Sequence, residues 1–154
     1  MRFFLFALLA LAIARPAAAQ ISFAPVVGYD EVGQGPMIGL AVEAGAPLYG
    51  SSLQPSVRAL VEYVFSTAER DQGFDIIHGN LDLIGRFGGG YGSLLSPYVK
   101  GGLALTSVDD RRFDPDVELS ANVGGGLEAS RFFTEGEYAF GDYGGIRARV
   151  GYRF

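Results

Sequence analysis

The chain has 154 residues, with 23 Gly, 12 Phe and 8 Tyr but no Cys, no Trp and one His, a length that bounds it to a single domain. Without Cys there is no disulfide framework, thiolate metal site or Cys nucleophile, and one His cannot supply a multi-histidine metal cluster. Lys and Arg total 12 against 17 Asp and Glu, a charge of -5 that excludes nucleic acid as a partner, while 49% hydrophobic and 19% charged residues exclude disorder.

Met1-Arg2 is a short positive start, Phe3 to Ala14 an apolar run of 12 residues, and Ala17-Ala18-Ala19 offers small residues where a signal peptidase reads. Such a run is shorter than the roughly 20 residues of a membrane helix. Residues 1–19 are therefore read as a signal peptide, and 20–154 as one exported domain. Removing Arg2 and Arg15 leaves 10 basic and 17 acidic residues, a charge of -7.

In the exported segment no helical apolar stripe is sustained, and period two dominates. The first expected strand, Ile21 to Tyr29, alternates imperfectly because Ala24 and Val26 fall on the face that should be polar. In the second, Ile38, Leu40, Val42 and Ala44 oppose Met37, Gly39, Ala41 and Glu43. In the third, Val57, Ala59, Val61, Tyr63 and Phe65 oppose Ser56, Arg58, Leu60, Glu62 and Val64. Ile77, Gly79, Leu81, Leu83 and Phe87 mark the apolar face of the fourth, with Ile76, His78, Asn80, Asp82 and Arg86 on the other. The fifth carries Pro97, Val99, Gly101, Leu103 and Leu105 against Tyr98, Lys100, Gly102, Ala104 and Thr106. The sixth carries Val117, Leu119, Ala121, Val123, Gly125 and Leu127 against Glu118, Ser120, Asn122, Gly124, Gly126 and Glu128. A tight turn at Glu128-Ala129-Ser130-Arg131 leads into the seventh, where Phe132, Thr134, Gly136, Tyr138 and Phe140 oppose Phe133, Glu135, Glu137 and Ala139. The eighth is the clearest: Ile146, Ala148, Val150, Tyr152 and Phe154 alternate with Arg147, Arg149, Gly151 and Arg153.

The connections alternate in character. Asp30 to Gln34, Ser66 to Gly73, Thr106 to Asp116 and Gly141 to Gly144 are acidic or polar, whereas Ala46 to Gln54, Gly88 to Ser96 and the Glu128 turn form the other set. Eight strands in such an order predict an all-β, antiparallel, up-and-down barrel. A soluble barrel with an apolar ligand inside would alternate in the same way. Three features favour a transmembrane barrel with its apolar face outward. The polar face carries seven acids, Glu118 among them, and six bases, the near balance that a sealed interior demands. Glycines on that face make room in a narrow lumen. Aromatics gather at the ends of the apolar face, at Phe23, Tyr29, Tyr63, Phe65, Phe87, Phe132, Phe140, Tyr152 and Phe154, as in interfacial girdles.

On these residues the segment resembles the eight-stranded outer-membrane β-barrel family typified by the OmpA membrane domain and OmpX, over nearly all of 20–154. The resemblance implies a monomer in the cell outer membrane, surrounded by outer-membrane lipids and lipopolysaccharide. It also implies that the final strand, with Tyr152 and Phe154 at alternate positions, is the insertion signal read by the barrel-insertion machinery. The functional expectation is a structural or surface-interaction role without an open pore, because eight strands enclose only enough space for side chains. The alternatives are the soluble ligand-binding barrel and a lipid-modifying enzyme.

Pairing across the last connection sets Glu135 and Glu137 beside Arg147 and Arg149, a charge cluster expected to plug the lumen. Ile76-Ile77-His78-Gly79-Asn80 resembles the motif of outer-membrane lipid A deacylases, in which a Ser stands two residues after the His. Asn80 holds that place here and the segment has no Ser or Thr, so no catalytic residue is expected and His78 reads as a lumenal hydrogen-bonding group. Gly88-Gly89-Gly90-Tyr91-Gly92 lacks the Lys and following helix of a phosphate loop and reads as a turn. The Thr106 to Asp116 segment, with Asp109, Asp110, Asp114, Asp116, Arg111 and Arg112, reads as a solvated charged loop in preference to a site for a divalent cation or lipid phosphate. No cofactor or metal is expected.

Overall fold

The computed structural model describes residues 20–45, 53–66, 74–87, 95–110 and 116–154. The expected signal peptide and the Gly88 to Gly92 turn lie outside these residues, as do Arg111, Arg112 and Asp114. Eight strands are present: β1 (Gln20–Asp30), β2 (Gly35–Gly45), β3 (Leu53–Phe65), β4 (Phe74–Phe87), β5 (Ser96–Asp110), β6 (Asp116–Ala129), β7 (Phe132–Ala139) and β8 (Gly145–Tyr152). They close into a barrel in chain order, every neighbouring pair antiparallel, with β8 returning to β1. No described residue is helical.

Alternation along each strand sorts side chains to two sides of the wall. Leu40, Leu81, Leu83, Leu103, Leu119, Val123, Ile146 and Val150 are exposed on the outside, whereas Arg58, Glu62, Asp82, Lys100, Glu135, Glu137, Arg147 and Arg149 are buried inside. This arrangement is the reverse of a soluble barrel with an apolar interior. Residues along β7 alternate exposed and buried over its whole length, and along β8 as far as Gly151.

Aromatic side chains end the apolar wall at both rims. Phe132, Tyr152 and Phe154 form an edge-to-face ladder near the chain end, with ring centroids 4.8 and 4.9 Å apart. At the opposite rim Tyr63 and Phe65 meet edge to face at 5.0 Å, and Tyr138 and Phe140 at 5.1 Å.

Several boundaries differ from the sequence reading: β3 begins at Leu53, inside the expected Ala46 to Gln54 connection, and Phe140 and Phe154 lie just beyond β7 and β8. The Thr106 to Asp116 connection is shorter than expected: β5 continues to Asp110, pairing Phe74 with Asp110 and Val108 with Asp116. The physical reason is that Val108 turns inward onto Met37, Val64 and Ile76, an apolar cluster that rewards the four further ladder positions from Ser107 to Asp110 against β4. Asp30, expected in a connection, is the last residue of β1, and its side chain is fully buried. The imperfect alternation of β1 also has its explanation. Ala24 and Val26 belong to an inner apolar layer with Ala41, Leu60, Ile84, Tyr98 and Phe133. That layer's large rings fit because glycines face them: a Cβ on Gly126 would stand 2.7 Å from the Tyr98 ring, and one on Gly151 2.3 Å from the Phe133 ring.

Candidate functional site: the lumenal charge network

The register of β7 and β8 places Glu135 directly opposite Arg149 and Glu137 directly opposite Arg147, all pointing inward. Arg149 donates to Glu62 through Nε at 2.6 Å and Nη2 at 2.7 Å, a bidentate pair across the barrel. Its Nη1 donates to Glu135 at 3.1 Å and to Glu137 at 2.9 Å. Arg147 donates from Nε to Asp30 at 3.0 Å and from Nη1 to Glu137 at 3.1 Å. Arg58 reaches Glu135 at 2.7 Å and Asp82 at 3.3 Å. Lys100 reaches Asp82 at 3.0 Å, Glu135 at 3.1 Å and also Glu137. Tyr98 adds its hydroxyl, donating to Glu135 at 2.7 Å.

The four residues singled out in sequence are therefore brought into contact, but they are one side of a larger network. Glu62, Arg58, Asp82 and Lys100 enter it from β3, β4 and β5. Their inward alternation was visible in the sequence, whereas the cross-barrel reach of Arg149 was not, because register alone ranks only adjacent strands. Asp30 also joins it; Glu118, expected among the lumenal charges, does not. The Glu118 carboxylate instead accepts the backbone N–H groups of Asp142 and Tyr143, each at 2.8 Å, holding the turn between β7 and β8.

Below this deep network, toward the chain ends, lies a second one. Arg86 pairs with Glu43 at 2.6 Å and Glu128 at 2.9 Å, while Arg153 pairs with Glu43 at 3.2 Å and also with Glu128. Phe133 separates the two groups, with the Arg58 guanidinium 5.6 Å and that of Arg153 5.7 Å from its ring centre. Among the described lumenal residues, Asp30, Glu43, Glu62, Asp82, Glu128, Glu135 and Glu137 face Arg58, Arg86, Lys100, Arg147, Arg149 and Arg153.

His78 lies at the far end of the deep network. Its Nε2 is 3.3 Å from Asp30 Oδ1 and its Nδ1 is 3.0 Å from Thr106 Oγ1. Thr106 stands opposite His78 on the neighbouring strand. A hydroxyl absent from the segment around His78 is thus supplied by sheet pairing, a partner that motif spacing could not find. The imidazole and the Asp30 side chain have no solvent exposure and Thr106 has 2%. The Thr106 hydroxyl also accepts from Arg147 at 3.5 Å. Among the described residues no group of three or more His, Asp or Glu is placed to hold a metal ion.

Tyr152 and Phe154 sit on the outer wall. The Phe154 backbone N–H donates to the Phe23 carbonyl at 2.8 Å, tying the chain end to β1, and Tyr152 accepts from Arg131 at 3.4 Å.

No protein-family model and no curated protein matches the chain. Solved structures do. The N-terminal β-barrel domain of Pseudomonas aeruginosa OprF superposes with a TM-score of 0.62 at 19% identity, covering 88% of this chain and 99% of that one. This chain has the eight-stranded outer-membrane barrel fold. Two other structures with that fold are also similar to it. The attachment invasion locus protein Ail of Yersinia pestis gives a TM-score of 0.51 at 14% identity, covering 88% of this chain and 97% of that one. The outer membrane enzyme PagL gives 0.55 at 12% identity, over 86% and 98%. One of these neighbours is an enzyme by name, so the fold by itself does not decide between an enzymatic and another role, and the distinction for this chain rests on its own side chains.

Proposed function

We propose that the protein is a monomeric barrel of the cell outer membrane with a structural or surface-interaction role, without an open pore and without catalysis. The observation that carries this reading is the inside of the barrel: ion pairs at the centre, an apolar layer beside them and a second charged group toward the chain ends. That filling leaves side chains where a channel would run. The apolar wall between two aromatic rims supports contact with outer-membrane lipids and lipopolysaccharide. Strands of 8 to 15 residues suit a bilayer, which a tilted strand crosses in roughly 9–11 residues. Tyr152 and Phe154, at the seam where the barrel closes, fit a segment read by the insertion machinery during assembly.

A hydrolytic reading has one observation in its favour, the Asp30, His78 and Thr106 alignment, which orders carboxylate, imidazole and hydroxyl as an activated nucleophile requires. Its burial opposes it, because the hydroxyl offers no surface to an acyl chain. Comparing envelopes of cells with and without the protein tests both readings. A changed envelope barrier or surface binding with unchanged lipid acylation is expected; changed acylation that Thr106→Val abolishes would replace the structural reading with the hydrolytic one.

A further inference from the structure

The deep network contains five carboxylates and four bases, whereas the lower group is balanced at two and two. The buried centre thus holds one carboxylate more than its Arg and Lys side chains pair with, an arrangement that costs free energy in a poorly solvated interior.

The same region holds polar atoms without hydrogen-bond partners. Both side-chain polar atoms of Asn80 and of Asn122 are unpartnered, as is Oδ1 of Asp82, and these three residues are 2%, 1% and 1% exposed. Register brings them to one patch of the inner wall. Asp82, Gly102 and Asn122 form a single row across β4, β5 and β6, and the adjoining inward row begins with Asn80 and Ala104. Gly102 contributes no side chain to the row between Asp82 and Asn122. The Asp82 carboxylate lies over the glycine, its Oδ1 2.9 Å from the place a Cβ would take.

We propose that Asp82, Asn80 and Asn122 bind one small monovalent cation inside the barrel. The carboxylate bridges: Oδ2 accepts from Arg58 and Lys100, and Oδ1 faces the cation. Neither base belongs to Asp82 alone, since Arg58 is shared with Glu135 and Lys100 with Glu135 and Glu137. Carboxylate and amide oxygens are hard donors suited to alkali ions. Single charge follows from the single surplus; a divalent ion would invert the imbalance.

Melting of the protein refolded in detergent, in sodium, potassium and choline chloride at equal ionic strength, tests the site. A rise of a few degrees with one alkali chloride over choline, increasing with concentration, is expected. Asn122→Leu should abolish that rise while keeping the migration of the folded form on unheated gels. Equal melting in all three salts would overturn the proposal. An ion-specific rise that survives in Asn122→Leu would overturn it too. Should that variant fail to fold, crystals of the unaltered protein grown in rubidium chloride decide: an anomalous peak between Asp82 and Asn122 supports the site, and none refutes it.

Discussion

Arg149 shows how much one residue can hold in a barrel this narrow. Its guanidinium meets Glu62, Glu135 and Glu137 at once, with 1% exposure, so its removal breaks three buried ion pairs together. Replacing Arg149 with Met is expected to cost about 3–5 kcal/mol, the range for breaking a buried pair by removing one partner. The double change Arg147→Met and Arg149→Met should cost more than either alone, because Glu137 then keeps only Lys100. Urea unfolding in lipid reads both, and stability equal to that of the unaltered protein would show that the network contributes little. A second residue prediction lies outside the membrane. The Tyr143 hydroxyl donates to Asp116 at 2.8 Å, and this hydrogen bond, reinforced by the carboxylate charge, raises the phenol above its ordinary pKa. A raised value means that the neutral phenol is favoured in the fold, so its contribution is present below the ordinary phenol range and is lost as pH rises through the folded value. Asp116→Asn should move the Tyr143 absorbance titration back toward that range, as identified by comparison with Tyr143→Phe; an unmoved titration would contradict the contact.

At the scale of elements, alternation made most of the wall legible, because one step along a strand exchanges the two faces and every misplaced charge would then sit in lipid or in the apolar layer. The strand order and the Ser130-Arg131 turn, where Ser130 has φ 57°, followed from the same pattern. What alternation could not convey was where a strand ends. Asp30 and Asp109 look like loop residues by composition, yet Asp30 is placed by Arg147 across the seam and by His78 from β4, and Asp109 by pairing with Asp75. The lumenal site was legible only in part for the same reason: adjacent-strand partners follow from register, whereas Glu62 with Arg149, or His78 with Asp30, depends on closure. That closure is the shortest seam, pairing Val26 to Asp30 with Gly151 to Arg147, and the chain end extends it through the Phe154 bond to Phe23. Deleting Phe154 should therefore impair assembly more than the loss of one exposed ring would suggest. Normal membrane levels and unchanged migration of the folded form would contradict this.

At the scale of the whole molecule, the central claim is that the apolar wall faces lipid and the charges fill the lumen. An arginine at Leu103 or Val123, on the wall, should cost roughly 2 to 4 kcal/mol near the bilayer midplane. Cost alone is ambiguous, since a charge buried in a soluble barrel would also destabilise it. Accessibility reads directly whether the wall meets water, and the chain contains no Cys to confuse it. The most direct measurement is therefore labelling of single cysteines, at Val123 on the wall and at Tyr143 in the turn, by a water-soluble maleimide in lipid vesicles and again after detergent solubilisation and unfolding. Rapid labelling at Tyr143, with protection at Val123 until the protein is extracted and unfolded, is the predicted result; rapid labelling at Val123 in the intact vesicle would contradict the account.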